Sequence, residues 1–205
     1  MRGGLLPARP SGAPRREPSA RAREWSPSGT RPASGRRAAC WGGLGSTLGV
    51  LVLANFGVRR DLVVDGVPVG KLLGGKGARE DGDGSCVAVV ATDEPLGPHE
   101  LTRVARRCGL GLARTGSVGY DGSGEIFLAL STGGRIERAA GGTRAVASPS
   151  TLNELFAATV EATEEAVLNA LWAAPEVVGR EGRVAPAIPH EDVLELLRVR
   201  GRLDA

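Results

Sequence analysis

Three short apolar runs rich in branched residues, at 48–53, 85–92 and 125–130, set the strongest limit on what this chain can fold into. Runs of that length, bounded by turn residues, read as strands, because β-branched side chains pack well on a pleated surface. The first is Leu-Gly-Val-Leu-Val-Leu and ends at Ala54-Asn55-Phe56-Gly57; the second starts at Ser85. Both are nearly continuous in apolar residues and are read as buried strands. The third follows the glycine-rich turn from Gly119 to Gly124.

The segments between them complete an α/β pattern. Asp65-Gly66 lies between Leu62-Val63-Val64 and Val67-Pro68-Val69, a hairpin signal in which Pro68 limits the second arm to an edge. Residues 74–84 hold no apolar side chain larger than Ala and are read as an exposed loop. Pro98 opens a helix, with Leu101, Val104, Ala105, Cys108 and Leu112 on one side and Arg103, Arg106 and Arg107 on the other. The longest periodic segment runs from Thr151 to about Ala174, with Thr151 and Glu154 fitting a capping box. A last helix is expected near 191–199, packing Val193, Leu194 and Leu197. Strand, hairpin, strand, helix, strand, long helix is the order of an α/β or α+β layered domain.

Charge divides the 205 residues unevenly. Residues 1–40 hold nine Arg against Glu17 and Glu24 and carry +7, while the rest carries −4. Six of the 13 prolines fall in the same 40 residues, so this segment is read as an Arg/Pro/Ser-rich disordered extension to residue 42, unrelated to the fold. The remainder is about one domain, long enough to bury roughly 68–70% of its unfolded surface. The chain shows no apolar run of membrane-spanning length and no secretory signal pattern, and is read as soluble and cytoplasmic, with no membrane partner. Cys40, Cys86 and Cys108 form no C-x-x-C pair, so neither a disulfide framework nor a metal site is indicated.

Two familiar motifs fail on context. The stretch Gly42-Gly43-Leu44-Gly45-Ser46-Thr47 precedes a strand and lacks the lysine of a phosphate loop, so no nucleotide cofactor is implied. The arginine-rich tail has no aromatic stacking pattern beside it, and no nucleic-acid partner is inferred. His99 and His190 each sit alone at a helix start, which leaves a Ser-His-Asp triad without a base. Gly84-Ser85 has two readings. Ser85 is either an ordinary strand-start serine or a nucleophile that attacks the Gly84 carbonyl and frees its own α-amine as a general base, for which no histidine is needed.

Gly84-Ser85 followed by Val-Ala-Val-Val-Ala-Thr-Asp-Glu-Pro-Leu (87–96) resembles the L-aminopeptidase/D-amidase-esterase (DmpA-like) family of self-processing peptidases, which includes the β-aminopeptidases. Further matching segments are Gly-Val-Leu-Val-Leu-Ala-Asn-Phe-Gly (49–57), Val-Asp-Gly-Val-Pro-Val-Gly (64–70), Leu-Ala-Arg-Thr-Gly-Ser-Val (112–118), Gly-Ser-Gly-Glu-Ile-Phe-Leu-Ala (122–129), Ala-Thr-Glu-Glu-Ala-Val-Leu-Asn-Ala-Leu (162–171) and Gly-Arg-Glu-Gly (179–182). The resemblance implies an α-β-β-α sandwich of the type shared with ornithine acetyltransferases, with the nucleophile between two sheets and usually in a homo-oligomer. It makes Ser85 the nucleophile, Gly84-Ser85 the cleavage site and Asn55 an oxyanion-hole donor, with Ser123 and Glu125 beside the nucleophile.

Residues 43–84 then end the α-chain and 85–205 form the β-chain. The implied substrates are short peptides, amino-acid amides or esters, with no cofactor and no metal. Family members carry a long N-terminal part ahead of the segment matching Gly43, and residues 1–42 lack its pattern, so the sandwich is expected to be incomplete at its N-terminal side. Ornithine acetyltransferase-like acyl transfer and an inactive remnant that acts by association are the alternatives, the former disfavoured by serine in place of threonine at the junction.

Overall fold

The computed structural model describes residues 36–43, 46–74, 84–134, 147–182 and 184–203. The first 35 residues and the segment 75–83, read from sequence as extension and loop, lie outside them. A four-stranded sheet organises the rest: β1 (Arg36–Gly43), β2 (Ser46–Asn55), β3 (Gly84–Thr92) and β4 (Ser123–Ser131), in the spatial order β1-β2-β3-β4. The extension expected to reach residue 42 is therefore corrected at its end. Residues 36–43 form a strand antiparallel to β2, from Arg36 opposite Leu53 to Gly43 opposite Ser46. Composition dominated the reading there, whereas pairing with a neighbouring strand decides the conformation.

β2 and β3 pair antiparallel and β3 and β4 parallel. A parallel pair needs a crossover, supplied by α2 (Pro98–Arg106) and α3 (Cys108–Arg114). The sequence suggested one helix here. It breaks at Arg107, whose N–H bonds the Val104 carbonyl at 2.9 Å, and the turn brings Gly111 against α4 (Pro149–Trp172). A Cβ at Gly111 would lie 2.6 Å from the Thr163 Cβ, so only glycine permits this approach.

α4 lies across β1 and β2 and buries Leu152, Leu155, Phe156, Thr159, Thr163, Ala166, Val167 and Ala170 along its length. The two threonines donate to carbonyls one turn back, Thr159 to Leu155 at 2.7 Å and Thr163 to Thr159 at 2.6 Å, so neither hydroxyl is orphaned. The cap differs from the expected box. Ser148 is the N-cap, its Oγ accepting the Thr151 N–H at 3.1 Å, with Pro149 in the first turn. α5 (His190–Val199) buries Val193 and Leu197 against Val67 and Val69. The Asp65-Gly66 turn forms with positive φ at both residues, but only Val64 and Val67 bridge, and after Pro68 the chain enters the short helix α1 (Val69–Leu72).

The strands read as buried have one covered and one uncovered face among the described residues. Leu48, Val50, Val52 and Ala54 of β2 and Cys86, Ala88 and Val90 of β3 pack under the helices and are at most 2% exposed. Each such Val or Leu contributes about 1.5–3 kcal/mol of burial. Leu51, Leu53, Ile126, Leu128 and Leu130 alternate with the covered positions and remain 40–57% exposed. The four-stranded sheet thus carries one helical layer, with a continuous apolar stripe on its other face.

Candidate active site

β2 ends and β3 begins at the same edge of the sheet, and their register puts Asn55 directly opposite Ser85. On the other side of β3, the parallel register sets Gly84 beside Ser123, Ser85 beside Gly124 and Cys86 beside Glu125. Residues 55, 84, 85 and 123–125 therefore converge at one end of adjacent strands, although up to 70 positions separate them in the chain.

Alternation then sorts their side chains between faces. Asn55, Ser85 and Gly124 belong to the uncovered face, and a Cβ on Gly124 would lie 3.5 Å from the Ser85 Oγ. Cys86, Ser123 and Glu125 belong to the helical face, where the Ser123 hydroxyl donates to the Glu125 Oε1 at 2.6 Å. The Ser123–Glu125 pair is thus next to Ser85 in register but lies on the opposite face. Ser85 Oγ is exposed and makes no side-chain hydrogen bond among the described residues.

Gly84 is held in a conformation few side chains tolerate, with φ of 152°. A Cβ there would fall 2.3 Å from the Asn55 carbonyl oxygen and 2.7 Å from the Phe56 Cα. The Gly84–Ser85 peptide bond is therefore pressed against the backbone that carries Asn55. The turn leading into β4 is tied down as well. The Tyr120 hydroxyl bonds the Asp61 carboxylate, and the Tyr120 carbonyl accepts the Ser123 N–H at 2.7 Å. That bond to a carboxylate, followed by partial desolvation, raises the Tyr120 phenol above its ordinary value.

The thiol next to Ser85 is a poor rival for it. Burial, then the neighbouring Cys108 thiol and the Glu125 carboxylate, push Cys86 from 9.0 to about 12. The Cys108 thiol is also raised, chiefly by burial. Because the unfolded thiol ionises near 9 and the folded one only near 12, Cys86 favours folding below pH 9 and this contribution disappears between pH 9 and 12. Urea midpoints should therefore fall with pH across that window, and fall less steeply in Cys86→Ala; parallel slopes would contradict the assignment.

His190 lies away from this cluster. Its Nε2 is 2.8 Å from the Trp172 carbonyl at the end of α4, and its ring meets the Trp172 ring at 4.3 Å. Among the described residues no group of three or more His, Cys, Asp or Glu is placed to hold a metal, and no helix is long and apolar enough to cross a membrane. Gly124 was not singled out from sequence. The available signal was a glycine inside a strand, flanked on both sides by candidate site residues.

Solved structures superimpose on this layered α/β sheet, among them one described as a variant of the N-terminal-nucleophile (Ntn) hydrolase fold. The L-aminopeptidase D-Ala-esterase/amidase of Ochrobactrum anthropi, described as a prototype for the serine aminopeptidases and a variant of the Ntn hydrolase fold, matches with a TM-score of 0.72 and 36% identity over 83% of this chain and 49% of its own. The PH0078 protein of Pyrococcus horikoshii OT3 matches with a TM-score of 0.71 and 41% identity over 82% of this chain and 48% of its own. The profile of peptidase family S58 matches residues 28–185, and the chain belongs to that family. The β-peptidyl aminopeptidase BapA of Sphingosinicella microcystinivorans is 40% identical over 179 residues, 78% of this chain and 45% of that protein. The chain spans about half the length of the relatives it matches.

Proposed function

We propose that the chain carries the processing site and nucleophile of a self-processing serine aminopeptidase. The observation that carries this reading is the row Asn55–Ser85–Gly124, with the Gly84–Ser85 bond held against the Asn55 backbone. Ser85 Oγ attacks the Gly84 carbonyl carbon, the carbon–nitrogen bond breaks, and the hydroxyl proton passes to the departing nitrogen, leaving an ester at Oγ and a free α-amine on Ser85. Water then hydrolyses the ester, dividing the chain into residues 1–84 and 85–205.

The freed α-amine has an ordinary pKa of about 7.7–8.0, so near neutral pH a useful fraction is unprotonated and accepts the Oγ proton. Oγ attacks the carbonyl of the substrate's first residue, Asn55 donates an amide N–H to the developing oxyanion, and the departing amine takes the proton. Water releases the acyl group from Ser85. The two-faced geometry supports a division of labour. The Ser85 nitrogen belongs to the backbone of the sheet, with the Ser123–Glu125 pair on its helical face, while Oγ works on the other face beside Asn55. In this reading Glu125 holds an ammonium group and Ser123 relays or orients its proton.

The same proposal takes short peptides, amino-acid amides or esters as substrates and places the protein in the cytoplasm as a homo-oligomer. The uncovered apolar face is where the second sheet of the sandwich packs. Incubating the chain with short peptides and with amino-acid amides should release the N-terminal amino acid. Acetyl transfer to ornithine without hydrolysis would favour the transferase reading instead, and an uncut chain without turnover would favour the inactive one.

A further inference from the structure

Several glycines of the chain are dictated by the fold. A Cβ at Gly70, Gly84, Gly116 or Gly133 would come within 1.8–2.3 Å of a backbone carbonyl oxygen, so nothing larger fits. Gly124 is different. Its φ lies outside the left-handed region that favours glycine, and it sits in the regular pairing of β4. Apart from its chain neighbours, the described atom that a Cβ there would meet within 4 Å is the Ser85 Oγ, at 3.5 Å, an ordinary contact distance. Neither backbone nor packing asks for glycine, although a glycine inside a strand loses conformational entropy and side-chain packing on folding. A strand glycine in that position marks a place where something else approaches.

The row around the nucleophile indicates what approaches. Across β2, Asn55 stands opposite Ser85 and occupies that flank with its amide; across β4, the flank is empty because residue 124 has no side chain. A carbonyl attacked by Oγ must direct its oxygen and its acyl chain to different sides. With the oxygen turned toward Asn55, the acyl chain falls over Gly124.

We propose that Gly124 is a specificity-determining residue, the absence of its side chain leaving beside Ser85 Oγ the space that receives the substrate's acyl group and limits its size. The inference rests on Ser85 being the nucleophile, and its test separates the two. The full chain and its Gly124→Ala and Gly124→Val variants are reacted with methanesulfonyl fluoride and with the bulkier phenylmethanesulfonyl fluoride, and the adduct on the Ser85 peptide is followed by mass spectrometry, with thermal melting in parallel.

The parent chain should react with both reagents. Gly124→Ala should slow the bulky reagent at least ten-fold relative to the small one, and Gly124→Val should slow both, while melting temperatures hold or rise because side chains favour a strand over glycine. A reagent ratio unchanged across the three proteins overturns the role of Gly124 alone. A parent chain labelled at Ser85 by neither reagent overturns the nucleophile assignment and this inference with it. A Gly124→Ala variant without a cooperative melt also overturns it, because the 3.5 Å spacing leaves room for a methyl group.

Discussion

Ser85→Ala should remain one 205-residue species on a denaturing gel under conditions in which the parent chain splits after Gly84, and it should lose at least about 10⁴-fold in peptide turnover. The size of the effect follows from how little else is available. The oxygen is the attacking atom in both reactions, so no residual covalent route passes through alanine. The adjacent thiol cannot take over: Cys86 points to the helical face, is fully buried, and holds its proton up to about pH 12. No structural cost confuses the result, since Ser85 is exposed and makes no side-chain hydrogen bond among the described residues. Mass spectrometry of the two fragments gives the site directly. A parent chain that stays whole, or a Ser85→Ala chain that still divides at Gly84, would sink the proposal.

Asn55→Ala should slow both self-cleavage and turnover by about 10²–10³-fold, the loss expected when one donor to a developing oxyanion is removed. Asn55→Asp should do worse than alanine, because a carboxylate of the same shape offers acceptors and a negative charge where negative charge is forming. Asn55 is half-buried at the very end of β2, so its stability cost should be under about 1 kcal/mol and separable from the rate effect. Measuring fragment formation and substrate turnover on the same preparations tests whether one amide serves both steps. Unimpaired turnover in Asn55→Asp would remove Asn55 from the site.

Much of the fold was legible locally. The strand starting at Ser85, the long apolar face of α4 and the short α5 all follow from periodicity and branched-residue content. The misses share a cause. Residues 36–43 look like a charged extension because of Arg36 and Arg37, yet pairing with 46–53 of β2 makes them a strand. The helix expected through Arg107 breaks because Gly111 allows α3 to approach Thr163 of α4, a contact between segments some 50 residues apart. Ser148 replaces Thr151 as the cap because Pro149 already fits the first turn. The second arm expected at Val67-Pro68-Val69 yields to α1, whose Val69 is buried against Val193.

The candidate site divides in the same way. The chain's order of residues alone determined that a glycine precedes a serine at the start of an apolar strand, that an asparagine closes one strand and that Ser-Gly-Glu opens another, since these are statements about neighbours along the backbone. Only the tertiary structure decided that Asn55 and Gly124 flank Ser85 on one face while Ser123 and Glu125 pair on the other. Register and face are fixed by long-range hydrogen-bond pairing and by which alternate side chains the helices bury. A slip of one residue would exchange every side chain between the two faces, and no local pattern excludes that slip.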